Sequence, residues 1–492
     1  MHPAARRILR EMPLLAVAAV VAGVAVAVVV LGAARMGSAA LFPLAGAAAL
    51  VWVVLWWRAR PSYGRRRGLA PGTLSVRSSL DALADRSFLR HSFERYGPVF
   101  KMAQFHRPVV CVVGLERGRE LLRRHSDDIR PAPLGRDDTV PRGVVVSMER
   151  ADYAVYAPLL RGALAEVVSV RSRDVSRPLA RASCTTLAAT PRASVPLVRE
   201  VVEDYVMSSL LDLYFGRMLQ PGDRDTIEGC LSNAMEVGIR SRPTRDAMAA
   251  VERFVELIRV RAGVPVEPDD VSYWTEIVRR APAAADDPTV LGNLCHLLAD
   301  ARNNISGATT WATWFLTQSP GWLGVVREAG GESDSRSDPA TAAVLETLRL
   351  ARSEYVYRCV ERPIDVDGLT IPAGWLVRIC LAESHLLDPP FTNPLQFEPE
   401  RHLRTRFGPA DFAPFGLDTH GCLGARLTIE LARSFVEALS GYTPVIEEIG
   451  PPRRGTRHWS HWSIGSDFRL GLVSIGSETT PEPAVALVAQ RQ

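Results

Sequence analysis

Two long apolar stretches dominate the pattern of hydrophobic and polar positions at the start of the chain. Met12 to Ala34 is a run of 23 residues without a charge. As a helix it would extend about 34 Å, more than the roughly 30 Å hydrocarbon layer of a bilayer. Ser38 to Trp57 is a second such run and ends in Trp52, Trp56 and Trp57, aromatic side chains of the kind that settle at a membrane interface. The pattern predicts two transmembrane helices, 12–34 and 38–57. Arg6, Arg7 and Arg10 precede the first, Arg35 alone lies between, and Arg58, Arg60, Arg65, Arg66 and Arg67 follow the second. The positive-inside rule therefore puts both ends in the cytoplasm. A cleaved signal peptide shares the basic start and apolar core, but the first run exceeds an ordinary signal core and another span follows at once. Pro61 and the segment from Arg65 to Gly72 read as a basic linker. The expected organisation is a membrane anchor at 1–67 and one large domain at 68–492.

Beyond the linker the pattern is helical with short strand and turn signals. In Ala343 to Leu350 an i, i+3 spacing places Glu346 and Arg349 on one helix face, where they can share a third charged partner. Asp365 to Gly374 carries the turn residues of a hairpin. Gly330 to Asp338 reads as an exposed loop, and the tail after Gly476 as disordered.

Composition adds exclusions. The chain is 47% hydrophobic, enough for a core of several hundred residues, and its net charge of +4 is too small to argue for nucleic acid. Lys101 is the only lysine, so nearly all positive charge is Arg, which suggests a GC-rich bacterial genome rather than a function. The seven cysteines are an odd number without a Cys-x-x-Cys pair, which argues against both a disulfide framework and a structural zinc site. A phosphate-cradling Gly loop is missing, so no nucleotide domain is built in.

One cysteine stands out. Phe415-Gly416-Leu417-Asp418-Thr419-His420-Gly421-Cys422-Leu423-Gly424 sets it in a Gly-rich loop opening onto an apolar-periodic helix. Backbone N–H groups of a tight loop and the positive end of a helix both favour an anionic sulfur, so the geometry suits a thiolate ligand to haem iron. The plainer alternative is a buried inert cysteine near a helix start. The ten residues resemble the cysteine-ligand loop of cytochromes P450: Phe, two residues, Gly, one residue, Arg or His, one residue, Cys, one residue, Gly. Phe415, His420, Cys422 and Gly424 fall on pattern positions, and Asp418 replaces the middle Gly. Asp tolerates a positive φ better than most residues.

Other segments resemble the same family in the right order. Glu346 and Arg349, with Arg401 in Phe397-Glu398-Pro399-Glu400-Arg401-His402, are similar to its buried Glu-Arg-Arg cluster. Arg358 sits where the family places a haem-propionate Arg, and Phe93 to Phe100 resembles its first helix running into its first sheet. On the helix expected from Ala151 to Leu164, Tyr153 and Ala157 stand where a Trp or His and an Arg usually serve the propionates, with Arg161 further along. The resemblance covers about residues 70 to 475. It implies a mainly α fold with small β-sheets (α+β) and a haem b whose iron is held by Cys422. It also implies cofactor-binding positions at His420, Arg358, Phe415, Gly424 and Tyr153.

The distal helix bears on the reaction. Most family members carry an acid-Thr pair there for proton delivery. One register pairs Ser306-Gly307-Ala308-Thr309-Thr310 with that motif. Counting back from Trp311, Leu316 and Pro320 selects Asp300-Ala301-Arg302-Asn303-Asn304 instead. In this preferred register Ala301 lies in the motif, Asn303 replaces the acid and Asn304 the alcohol, which resembles the branch of cholesterol 7α-hydroxylase and prostacyclin synthase. Asn can orient an oxygen but cannot give up a proton. A helix irregularity with satisfied side chains is the bland alternative for the two Asn residues, and Trp311 and Trp314 read as core.

The resemblance thus implies a membrane-anchored enzyme with its catalytic domain facing the cytoplasm. It would act on a small lipophilic substrate partitioned into membrane lipid, in bacterial specialised metabolism, as a monooxygenase fed by a ferredoxin or flavin reductase. The alternative is a redox-neutral isomerase, dehydratase or cyclase acting on a pre-formed O–O or N–O bond.

Overall fold

The computed structural model describes residues 68–475, apart from short segments at 105–106, 133–134, 192–193, 236–241, 264–268, 331–337, 353, 418–419, 451, 455–461 and 465–466. The spans expected at 12–34 and 38–57, Asp418, most of the 330–338 loop and the tail after Gly476 lie outside the described residues.

Helices α1 (Val76–Ala84) and α2 (Phe88–Tyr96) lead into strand β1 (Val99–Gln104) through Gly97, whose φ of 86° ends the helix. The reading of Phe93 to Phe100 as a helix running into the first sheet matches the backbone, but that helix is α2, the second among the described residues. β2 (Arg107–Val113), α3 (Leu115–Arg124) and β3 (Ile129–Pro131) follow. Then come α4 (Arg150–Ala189), α5 (Val198–Phe215), α6 (Asp223–Ala234), α7 (Arg245–Ala262), α8 (Tyr273–Arg280), α9 (Pro288–Gln318), α10 (Pro320–Glu328) and α11 (Pro339–Thr347). A π-turn, Leu348–Arg352, extends α11 into β4 (Tyr355–Val360). After β5 (Ile364–Val366), β6 (Leu369–Ile371) and β7 (Leu376–Cys380), α12 (Ala425–Leu439) and the β8–β9 pair (Tyr442–Glu448, Arg469–Ser474) complete the described chain.

The architecture is mostly helical with small sheets. The largest sheet orders its strands β1-β2-β7-β4-β3. β7, in the middle, runs parallel to β2 and antiparallel to β4. All five of its residues are buried, as a central strand requires. The turn signal at Asp365 to Gly374 becomes the β5–β6 hairpin, closed by Asp367 (φ 53°) and Gly368 (φ 76°), the two positive-φ residues that a type I′ turn needs.

α4 and α9 organise the core. α9 is 31 residues long, starts with Pro288 in its first turn and is capped by the Asp287 side chain, which accepts the Thr289 N–H at 2.7 Å. α4 is 40 residues long, so the helix expected from Ala151 to Leu164 is only its first part. Pro158 and Pro178 lie inside it, each costing roughly 3 kcal/mol in a helix interior. Packing against α5, α8 and α12 offsets that cost. α4 alone among the described helices is long and apolar enough to cross a membrane, but these contacts make it a helix of the globular core. The loop reading of Gly330 to Asp338 is corrected at its end: Asp338 is buried and caps α11 by accepting the Thr341 N–H at 2.8 Å.

Candidate active site

The Cys422 loop is closed by one backbone bond, Cys422 N–H to the Phe415 carbonyl at 2.9 Å, with Gly416 at φ 101° making the turn. Gly424 is the N-cap of α12 and its N–H points at the Cys422 sulfur. Phe415 packs against the main core. All seven cysteines are free, and only Cys422 is exposed. Burial nevertheless pushes its thiol up to about 11, raised further by Asp300 and opposed by the Gly424 N–H and Arg161. A sulfur that water can reach yet that is surrounded by protein faces a hollow inside the domain.

α9 supplies the opposite wall. Leu297, Asp300, Ala301, Asn304 and Gly307 recur at i, i+3, i+4, i+7 and i+10 and are partly or fully accessible, whereas Leu298, Ala299, Ile305, Ser306 and Ala308 are buried. Asp300 acts on both Cys422 and the buried Tyr214, so this face looks onto the hollow. Asp300 is gripped by the fork of Arg136 at 3.1 and 2.6 Å. One turn earlier the buried His296 meets the Thr139 hydroxyl through Nε2 at 2.6 Å. Burial and the Arg136 charge hold its pKa down at about 3 against an opposing pull from Asp300. Asn303 is half-buried, and Arg302 turns away to Glu203 at 3.7 Å. Asn304 is exposed and its Oδ1 accepts from Arg352 Nη2 at 3.1 Å. In the other register the Thr310 hydroxyl is committed to the Ser306 carbonyl at 2.8 Å, and Thr309 is buried. Trp311 is core, its Nε1 donating to the Trp462 carbonyl at 3.0 Å, and Trp314 packs beside it.

At the start of α4, Tyr153 stacks on His420 with ring centroids 4.0 Å apart. Its hydroxyl accepts from Arg161 at 2.9 Å, and His420 Nε2 lies 3.3 Å from the Met148 carbonyl. Tyr153, His420, Arg161 and Cys422 are thus brought together. Arg358 is buried on β4 and donates to the Tyr357 carbonyl at 2.9 Å.

Glu346 is fully buried and receives Arg349 through two bonds at 2.8 and 2.7 Å. Arg401 at 3.1 Å, His402 at 3.0 Å and the Glu398 N–H at 3.0 Å complete its shell. Burial alone raises a carboxyl, but these partners hold Glu346 down at about 2. The charged partners that the sequence reading left out of the site are Arg136, Arg352 and His402, and Asp300 entered it only as the first residue of the preferred register, without a role. A charge on the apolar-lined face of α9 was the available signal for Asp300. Arg136 and Arg352 join it only through contacts distant along the chain.

The comparisons with known proteins point to one family. The Cytochrome P450 family profile matches residues 340–438, from α11 through α12. Abscisic acid 8'-hydroxylase 1 of Oryza sativa subsp. japonica is 24% identical over 362 residues, spanning 69% of this chain and 76% of its own length. Ent-kaurenoic acid oxidase 1 of Hordeum vulgare is 27% identical over 232 residues, 42% of this chain and 46% of that protein. Among solved structures, retinoic acid bound cyanobacterial CYP120A1 superposes with a TM-score of 0.65 at 17% identity, covering 83% of this chain and 100% of that one. With a cysteine loop, a buried Glu-Arg-Arg cluster and a profile match that spans both, the comparisons support the cytochrome P450 superfamily, enzymes that use a thiolate-ligated haem iron.

Proposed function

We propose that this protein is a membrane-anchored monooxygenase that oxidises a small lipophilic substrate in bacterial specialised metabolism. The accessible sulfur of Cys422, facing the Asp300–Asn304 side of α9 across an interior hollow, carries the reading. The residues fit a haem: one reachable sulfur bonded by a backbone N–H, the small Ala301 on the facing wall, and a donor group formed by Arg161, Tyr153 and His420. Cys422 would be the axial ligand. Phe415 and Gly424 would shape its loop, and Tyr153, His420, Arg161 and Arg358 would serve the propionates. When bound, the group supplies dioxygen activation at the expense of two electrons from a ferredoxin or flavin reductase.

The chain's own contribution is positional. Gly424 N–H stabilises sulfur charge, and Asn304 orients rather than protonates, so protons would pass along water or come from the substrate. The relatives support a lipophilic substrate, since their names specify abscisic acid, ent-kaurenoic acid and bound retinoic acid. The anchor at 1–67 would keep the domain where such molecules partition, on the cytoplasmic side.

Asn303 and Asn304 also favour a second reading, redox-neutral isomerisation or dehydration, because neither delivers a proton. Full-length protein in detergent, reduced and exposed to carbon monoxide, should give the strongly red-shifted band of thiolate coordination and lose it on Cys422→Ala. Turnover should require NAD(P)H, a reductase and dioxygen. Product from resting enzyme alone would select the second reading.

A further inference from the structure

We infer that Arg352 receives a carboxylate carried by the substrate, beside the Asn304 amide. This rests on the proposed function and names the chemical class of its ligand. Arg352 ends the π-turn after α11 and is only 9% exposed. Its guanidinium lies across α9, where a Cβ at position 307 would stand 2.6 Å from Cζ, so Gly307 is the cradle that lets it reach Asn304.

Four other buried arginines have contact carboxylates. Arg349 and Arg401 share Glu346, Arg136 holds Asp300, and Arg433 meets Asp338 and Glu437. Arg352 has no carboxylate within ion-pair distance among the described residues, and its hydrogen bond goes to Asn304 Oδ1 at 3.1 Å. Burial lowers its pKa to about 10, with Glu354 opposing, so it stays charged at neutral pH. Glu354 must also answer Arg86, and Glu383 acts on both Arg86 and Arg378. Among the described residues, three guanidiniums therefore share two carboxylates here.

A buried cation without a contact carboxylate is costly, and an anion entering beside it reduces that cost. The chemistry presented is selective. Asn304 spends its carbonyl on Arg352, which leaves the NH2 of its exposed side chain as a further donor, and Arg352 has donors only. Two adjacent donor groups, one a charged planar fork, match a carboxylate. Asp300, one turn away on the same face, does not cancel this field because Arg136 neutralises it.

The test measures equilibrium dialysis of labelled retinoic acid and of C12 to C16 fatty acids, each against its methyl ester. It uses the full-length haem-loaded protein, with the carbon monoxide spectrum recorded on the same samples. At least one acid should bind about tenfold or more tightly than its ester. Arg352→Gln should weaken that acid on the order of 10- to 100-fold while leaving the ester within about twofold. Arg352→Lys should keep part of the preference, and Gly307→Ala, which displaces the guanidinium without removing it, should reduce it. Absence of acid preference throughout the panel, including no binding at all, overturns the assignment, as does equal weakening of acid and ester in Arg352→Gln. Loss of the carbon monoxide band in wild-type protein would instead sink the haem reading.

Discussion

The imidazole of His420 lies over the ring of Tyr153 at a centroid distance of 4.0 Å and an interplanar angle of 37°. This stack ties the cysteine loop to the first turn of α4. Tyr153→Ala should let the loop drift and lower haem retention, read as a reduced ratio of haem to protein absorbance after gel filtration. Tyr153→Phe keeps the stack but loses the bond from Arg161, so it should retain more haem than Ala and less than the parent.

Glu346→Gln removes the charge on which Arg349, Arg401 and His402 converge. Stranding buried cations costs about 3–5 kcal/mol, which urea denaturation should show as a large fall in midpoint. Glu120→Gln breaks the exposed pair with Arg123 and should change stability by less than about 1 kcal/mol. Equal losses from both would contradict the burial argument.

Acid should destabilise the fold through three groups. Burial holds His296 and His385 each at about 3, with nearby positive charges adding to the effect. Their unfolded values lie near 6.5, so as pH falls from about 6.5 toward 3 the unfolded chain binds two protons that the folded chain refuses. Stability should drop by about 1.4 kcal/mol per pH unit per histidine. Below about 4.5 the unfolded Glu346 also protonates while the folded carboxyl resists to about 2, steepening the loss. Urea midpoints at several pH values should trace this slope, and His385→Gln should flatten it.

Asp300→Asn leaves the buried Arg136 without its charge partner. A lost bond to a charged group costs about 1.5–3 kcal/mol, and the segment from Asp137 to Met148 that Arg136 anchors against α9 should loosen. Faster hydrogen exchange at Val140 and Gly143, with exchange in α12 unchanged, is the expected pattern.

Asn304→Thr replaces an amide by a hydroxyl that can pass a proton. It should leave the carbon monoxide spectrum intact and alter the fraction of NAD(P)H electrons recovered in product. An unchanged fraction would exclude Asn304 from proton handling.

What the sequence revealed depended on the range of the interaction. Glu346 and Arg349 are three residues apart, and the Cys422 loop and the Asp367-Gly368 turn are local, so spacing and residue type exposed them. The length of α4 was hidden because Pro158 and Pro178 punctuate its pattern while tertiary contacts carry it through. Arg136 meets Asp300 across 164 positions and Arg352 meets Asn304 across 48. Neither pairing leaves a periodic trace, so neither arginine stands out until the helices are assembled. Asp338 was taken for loop because its capping role depends on where α11 begins.

The π-turn from Leu348 to Arg352 has a further consequence. It joins the Glu346–Arg349 cluster at one end to the guanidinium over Gly307 at the other, so a single inserted or deleted residue there would rotate one out of place for the sake of the other. A descendant shifting to a new ligand has freedom to exchange the side chain at 352 but not to change the length of the turn. Diversification at this spot is therefore confined to substitution.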